Sequence, residues 1–269
     1  MPIRLNLPPT FSGRIAGSDR PQIGMWVSSG SPLVAEICAG AGLDWLLIDG
    51  EHSPIGLETT AALLQAVAPY PVTPVVRAAS GDTVLLKQLL DLGAQNVLVP
   101  MVDTAEQARA VVQAVRYPPR GVRGVGSALA RGARWNRVAD YMQDADRYVS
   151  LFVQVESTTG VANAAAIAAV DGVDGVFVGP SDLAASMGVL GQQTHPDVVA
   201  AVRTTFEAVR AAGKPVGVNA FDPAVAQSYL DAGASFVLVG ADVALLARGS
   251  EALADTWIPA DDERAGEPE

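Results

Sequence analysis

Two carboxylates follow neighbouring apolar segments of the sequence and could together hold a metal ion. Glu156 ends the segment SLFVQVE, and Asp182 follows GVFVG by three residues. Carboxylate oxygens are the ligands that hard divalent cations prefer, and a pair of them leaves positions open for water and substrate. The alternative is that each carboxylate accepts hydrogen bonds from loop amides or pairs with an arginine. We predict that Glu156 and Asp182 hold a divalent cation such as Mg²⁺, Mn²⁺ or Co²⁺.

A possible general base lies in the segment DGEHSP, where His52 follows Asp49 by three residues. A turn there could let the Asp49 carboxylate hold one ring nitrogen and raise the basicity of the other. The alternative is a surface or hydrogen-bonded structural histidine. Arg77 ends TPVVR and could grip a carboxylate or an enolate oxygen, or pair with Asp49 or Glu51 as part of the scaffold. We expect His52, Asp49 and Arg77 to act in catalysis.

The other reactive side chains fit structural roles better. His195 precedes a proline at a predicted helix start, and Cys38 lies within a predicted helix as a small apolar side chain. The only two lysines, Lys87 and Lys214, are mid-helix and just before a strand, so neither is placed for imine chemistry. A single cysteine excludes an intramolecular disulfide and a cysteine-based zinc cage, and it fits a reducing, cytoplasmic setting.

The elements that must position these residues are eight apolar runs that alternate with helical segments. The runs are uniformly apolar rather than alternating, which is typical of parallel strands covered by helices. An open sheet with a nucleotide site would need a glycine-rich turn after its first strand, where this chain has VSSGSP. We therefore predict an α/β fold, a single-domain (β/α)8 TIM barrel, in which active sites form at the carboxyl ends of the strands. The predicted strands are 23–27, 45–49, 73–77, 96–100, 150–156, 175–179, 215–219 and 236–240.

Length and composition agree with that fold and exclude several kinds of partner. The 269 residues are 49% hydrophobic, and no composition break divides them, so we expect an N-terminal extension at 1–20, a barrel at 21–258 and an acidic tail at 259–269. The net charge of -11 argues against binding to nucleic acid, which requires a basic surface. The start of the sequence lacks the apolar segment of a signal peptide, and no run is long enough to cross a membrane. We expect a cytoplasmic protein with no membrane partner.

The chain resembles the HpcH/HpaI aldolases, the class II metal-dependent pyruvate aldolases that include 4-hydroxy-2-oxoheptanedioate and 2-keto-3-deoxy-L-rhamnonate aldolases. The resemblance covers most of residues 24–245 and is carried by the DGEHSP turn, PVVR, RYPPRGVRGVGS, VQVES and GPSDL. It implies reversible cleavage of 4-hydroxy-2-oxo acids to an aldehyde and pyruvate, or a close analogue such as hydroxypyruvate. It also implies a homo-oligomer, a trimer or hexamer that swaps its last helix.

The resemblance further implies a role for each residue at the matching positions. Glu156 and Asp182 would hold the cation, Arg77 would bind the keto oxygen, and His52, oriented by Asp49, would exchange a proton with the distal hydroxyl. The remaining implied contacts are Gln154, which would help place a water, Pro180 and Ser181, whose backbone would meet the pyruvate carboxylate, and Trp26, which would wall the pocket.

Two other functions remain open from the sequence. One is a citrate-lyase-type carbon–carbon lyase acting on a coenzyme A thioester, although the chain offers no basic cluster for the phosphates. The other is a barrel that binds an oxo acid without turnover, because fold does not fix function. The residues do not name the aldehyde. We expect selectivity to depend on loop positions such as Ser127, Leu129, Val189 and Phe221.

Overall fold

Eight parallel strands close into a barrel in the order in which they occur in the chain, as the sequence predicts. The computed structural model describes residues 3–258. Each strand pairs with the next, and β8 pairs back to β1. The carboxyl ends of the strands, called the rim below, therefore gather at one end of the barrel. The strands are β1 Gln22–Val27, β2 Trp45–Asp49, β3 Thr73–Arg77, β4 Asn96–Val99, β5 Ser150–Val155, β6 Gly175–Val178, β7 Val216–Asn219 and β8 Phe236–Ala241.

Polar residues cap the first turns of several helices between the strands. Ser31, Asp82 and Asp222 each accept hydrogen bonds from amides in the first turn of the helix that follows, and Thr104 forms a capping box with Gln107. These caps fix where each chain segment turns back from the rim. The helices are α1 Phe11–Ala16, α2 Pro32–Ala39, α3 Leu57–Ala66, α4 Thr83–Asp91, α5 Ala105–Val115, α6 Thr158–Ala162, α7 Ala164–Ala168, α8 Pro180–Ser186, α9 Pro196–Ala211, α10 Pro223–Asp231 and α11 Asp242–Trp257.

An aromatic layer fills the barrel interior at the amino ends of the strands. Phe11 of α1 is 1% exposed, and its ring centroid lies 4.9 Å from that of Trp45, 5.3 Å from Phe152 and 5.4 Å from Phe236. The backbone amide of Phe11 donates to Asn96 Oδ1. Residues 11–16, within the segment expected as an N-terminal extension, thus close the barrel at the end opposite the rim.

A long connection between α5 and β5 also lies at the amino end of the barrel, because it joins the end of a helix to the start of a strand. It contains three short 3₁₀ turns, Ser127–Leu129, Arg131–Ala133 and Ala145–Arg147. Ser127 and Leu129, expected to influence selectivity, therefore do not line the rim of their own chain. The acidic tail expected at 259–269 lies outside the described residues. Within residues 3–258, the structure has no helix that is long and apolar enough to cross a membrane.

Candidate active site

The Glu156 carboxylate lies just past the end of β5 and is almost completely buried. It is 3% exposed; its Oε1 accepts a 2.9 Å hydrogen bond from the Met101 backbone amide, and its Oε2 accepts one from the Gln154 side chain. Burial raises the pKa of the Glu156 carboxyl to about 7, and the charges of Asp182 and Glu51 add to that rise. The charge of Asp182 thus reaches the Glu156 carboxyl, and the predicted metal pair stays a prediction.

This arrangement fits a hard divalent cation. Within the described chain, Glu156 forms no ion pair with a basic side chain, and the Oε1 of buried Gln154 has no hydrogen-bond partner. A buried acid that lies in the field of another carboxylate gains from a cation that both could share, and all the donors are oxygens. No group of three or more His, Cys, Asp or Glu side chains in residues 3–258 is arranged to hold a metal, so the pair would leave the other coordination positions to water and substrate.

Glycine is required beside the Glu156 carboxylate. A Cβ added at Gly179, which follows β6, would lie 2.6 Å from Glu156 Oε2 and 2.9 Å from Gln154 Nε2. A side chain at this position would displace the Glu156 carboxylate or the Gln154 amide. The glycine of GPSDL therefore leaves room for the buried Glu156–Gln154 pair.

Arg77, at the end of β3, is buried and pairs with both acids of the DGEHSP turn. Its Nε and Nη2 each lie 2.8 Å from Asp49 Oδ1, and its Nη1 lies 2.9 Å from Glu51 Oε2. The guanidinium also lies 4.3 Å from the ring centroid of Trp26. Only the Nε contact has hydrogen-bond geometry, and Glu51 Oε2 has no hydrogen-bond partner within the described residues, so N–H groups on both Nη atoms are left for another oxygen. Arg77 thus has the scaffold role that the sequence left open, and it still has N–H donors available for a ligand.

The expectation that the Asp49 carboxylate contacts the His52 ring is wrong, because this contact is not formed. Asp49 Oδ1 instead accepts hydrogen bonds from the backbone amides of Glu51 and His52, at 3.1 and 3.3 Å, and Oδ2 accepts one from Ser53 Oγ. A buried arginine requires a nearby anion, so Arg77 pairs with the Asp49 carboxylate. The sequence had assigned that carboxylate to the His52 imidazole. The His52 side chain is 66% exposed, and its Nε2 lies 3.8 Å from Glu51 Oε2.

Glu51 was not among the predicted site residues, although it links Arg77 to His52. Its carboxylate contacts the guanidinium on one side and faces the imidazole on the other. Burial raises the pKa of the Glu51 carboxyl, and the charges of Arg77 and His52 oppose that rise. Its position within DGEHSP is the signal that could have identified it.

Trp26 lies at the rim end of β1 and is held by a residue of β7, two strands away around the barrel. Its indole Nε1 donates a 2.7 Å hydrogen bond to Asn219 Oδ1, at the end of β7. The ring then covers the guanidinium of Arg77. Pro180 and Ser181 begin α8 beside Gly179, with Pro180 buried and Ser181 exposed. Trp26, Pro180 and Ser181 therefore lie at or near the carboxyl ends of their strands.

Two further residues that shape the rim were missed. Asp242 is 3% exposed, and its carboxylate accepts hydrogen bonds from the amides of Ser28 and Ser29, which fixes the loop after Trp26. Met101 adopts a left-handed backbone with φ of 56°, and its amide points at Glu156. The sequence gives no signal for Met101, because the contact uses the backbone and not the side chain.

A closed (β/α)8 barrel with an acidic pair, a buried arginine and a histidine on one rim is the layout of a barrel enzyme. The sequence model of the HpcH/HpaI aldolase/citrate lyase family matches residues 22–249, and the chain belongs to that family. The chain is 55% identical over 272 residues to a hydroxypyruvate/pyruvate aldolase of Deinococcus radiodurans, covering 100% of this chain and 98% of the relative. It is 54% identical to a 4-hydroxy-2-oxo-heptane-1,7-dioate aldolase of Salmonella paratyphi B, covering 87% and 89%. A crystal structure of a family member from Burkholderia cenocepacia superposes with a TM-score of 0.87 at 41% identity, covering 91% of this chain and 98% of that chain.

Proposed function

We propose that this protein is a divalent-metal-dependent aldolase that reversibly cleaves 4-hydroxy-2-oxo acids to an aldehyde and pyruvate or hydroxypyruvate. The observation that carries the proposal is the buried Glu156 carboxylate, which lies within electrostatic reach of Asp182 and pairs with no basic side chain of the described chain. The relatives that share more than half of its residues are named as aldolases of these oxo acids. Glu156 and Asp182 would hold the cation, which when bound supplies a Lewis acid that polarises the keto group.

Arg77 would bind and stabilise the oxygen on which charge develops. Asp49 and Glu51 hold its guanidinium from two sides and Trp26 covers its face, so the donors are oriented before the substrate arrives. Donors that are already in place when charge develops are the main source of electrostatic stabilisation in enzymes. The enolate of the oxo acid is such a charge, and the N–H groups on the Nη atoms of Arg77 could donate to its oxygen.

His52 would move the proton at the distal hydroxyl, in the direction of cleavage as base and in the direction of condensation as acid. Its ring is exposed at the rim, where an aldehyde arriving above a bound oxo acid would lie. Glu51, and not Asp49, is the carboxylate closest to its ring nitrogen. A positioned histidine contributes typically about 10² to 10⁴-fold to such a step. The backbone around Pro180 and Ser181 would meet the oxo-acid carboxylate, and Gln154 would help place a water.

We further propose that the enzyme acts as a trimer or hexamer in the cytoplasm. Support for assembly comes from the last helix, α11, on which Leu245, Leu246, Leu253 and Trp257 are all more than 60% exposed. Large apolar side chains grouped on one exposed helix are typical of a surface that another chain covers.

The test measures two reactions separately, which are hydrogen exchange at pyruvate and condensation of pyruvate with an aldehyde. Deuterium exchange into the methyl group of pyruvate reports enolate formation without an aldehyde, and product mass reports condensation. We expect both to be lost after chelation and restored by Mg²⁺, Mn²⁺ or Co²⁺. Glu156→Gln combined with Asp182→Asn should abolish both, while Arg77→Lys should reduce exchange strongly, because lysine cannot reproduce the bidentate contact. Full activity in chelator-stripped protein would refute the proposal.

A further inference from the structure

A second cavity lies at the amino end of the barrel, opposite the rim. Its volume is about 160 Å³, and it lies between the end of α3, the starts of β3 and β4, and the long connection between α5 and β5. A single water molecule occupies about 30 Å³ in the liquid, so the cavity has room for an ion of several heavy atoms. Its charged lining residues are Arg14, Arg131 and Arg134, and no carboxylate lines it, although the net charge of the chain is -11.

The guanidinium groups of Arg131 and Arg134 lie close together at this cavity. A Cβ added at Gly93, which lines the cavity and has a φ of 95°, would lie 2.7 Å from Arg131 Nη1 and 2.9 Å from Arg134 Nη1. Both nitrogens therefore approach the same point. Burial lowers the pKa of Arg131 to about 10, and the charge of Arg134 adds to that fall. Arg131 still carries its charge at neutral pH, so the two groups repel each other.

No acid of the described chain balances these two cations. Arg131 donates to the backbone carbonyls of Leu92 and Leu64, at the ends of α4 and α3, and Arg134 Nη1 donates to the carbonyl of Arg131. The end of a helix carries only a partial negative charge, so these contacts orient the guanidinium groups without neutralising them. Charges removed from water are normally paired, and the pair of arginines therefore lacks an anion.

The remaining donors of the two arginines are accessible. Arg131 Nε, Arg134 Nε and Arg134 Nη2 make no hydrogen bond within residues 3–258, and none of them is shielded from solvent. Arg123, in the same connection, differs in both respects, because it is 1% exposed and pairs with Asp91. Nε and Nη2 form one edge of the Arg134 guanidinium, and such an edge donates two parallel hydrogen bonds to a carboxylate or a phosphate.

We propose that this cavity binds a small oxyanion of the phosphate or dicarboxylate class, held between Arg131 and Arg134 with Arg14 as the third cation. Two neighbouring positive charges favour a doubly charged anion over a singly charged one. The anion would connect α1, which carries Arg14, to the connection that carries the other two arginines. The site lies at the opposite end of the barrel from the rim, so the proposal does not depend on the aldolase function.

The test measures anion binding to the metal-free protein in chelator at pH 7.5 and constant ionic strength. Titration calorimetry with inorganic phosphate and with succinate gives a Kd for each, and the anion that binds more tightly distinguishes the two classes. We expect one site per chain. The preferred anion at about ten times its Kd should raise the Tm by about 3–5 °C, whereas chloride at the same ionic strength should not.

Three arginine variants locate the binding. Arg134→Gln removes the free edge and keeps the carbonyl contacts of Arg131, and it should weaken binding at least about tenfold. Arg137→Gln removes the same charge three residues further along, outside the cavity, and should leave the Kd unchanged. Arg14→Gln, on α1, is a second variant that should weaken binding in the same direction.

Three outcomes would overturn the proposal. They are the absence of binding by both phosphate and succinate, an equal weakening by Arg134→Gln and Arg137→Gln, and a Kd that neither Arg134→Gln nor Arg14→Gln changes. Because the protein is metal-free and no turnover is measured, none of these outcomes bears on the aldolase function.

Discussion

The stability of the metal-free protein should depend on pH through Glu156. In the folded chain burial raises the pKa of this carboxyl to about 7, against 4.5 for the free side chain. The unfolded chain therefore binds fewer protons than the folded chain between these values, and stability falls as pH rises through that window. The full cost is about 3 kcal/mol, of which about 2 kcal/mol accumulates between pH 5.5 and pH 8. Glu156→Gln cannot ionise and escapes this cost.

The assay follows the thermal midpoint of both proteins in chelator, at one protein concentration, from pH 5.5 to pH 8. The Tm advantage of Glu156→Gln should grow by about 4–8 °C across this range, because about 1 kcal/mol corresponds to 2–4 °C in a chain of this size. Adding Mg²⁺ or Mn²⁺ at pH 8 should raise the Tm of the parent protein and remove the difference, since a ligand that binds only the folded state stabilises it. If the Tm advantage of Glu156→Gln stayed constant with pH, ionisation of the Glu156 carboxyl would not be the cause of the loss of stability.

Two other substitutions test contacts of the fold itself. Asp49→Asn breaks the buried pair with Arg77 and should lower the free energy of unfolding by about 3 kcal/mol. Glu51→Gln removes the more exposed partner and should lower it by about 1 kcal/mol. Thermal melts that ranked the two variants in the reverse order would contradict the geometry. Phe11→Ala should cost about 3–5 kcal/mol by emptying the aromatic layer, measured by urea unfolding, and a loss below about 1 kcal/mol would mean that α1 is not needed to close the barrel.

Most of the barrel could be predicted from the sequence because parallel strands leave a simple pattern. The eight apolar runs correspond to the eight strands, and the differences lie at the ends, where Glu156 and Gly179 fall just outside β5 and β6. The rim followed from the same pattern, since polar residues after buried runs must collect at one end. That rule placed Glu156, Asp182 and Arg77 at or just past the ends of their strands without any knowledge of their contacts.

Contacts between distant parts of the chain could not be predicted in the same way. The turn spacing suggested that Asp49 would orient His52. In the structure the Asp49 carboxylate instead pairs with Arg77, which lies twenty-eight residues further along the chain and is buried. Phe11 carries no periodic signal that would place it inside the barrel.

The aromatic layer around Phe11 also bears on the sequence of events during turnover. Phe11, Trp45, Phe152 and Phe236 block the barrel axis at its amino end, so ligands can enter and leave only through the rim. If the oxo acid binds at Glu156, as proposed above, we expect it to arrive before the aldehyde and to leave after it. A barrel that is closed at its amino end should therefore show ordered kinetics. In that order the aldehyde does not bind productively on its own, and the oxo acid is the last product released.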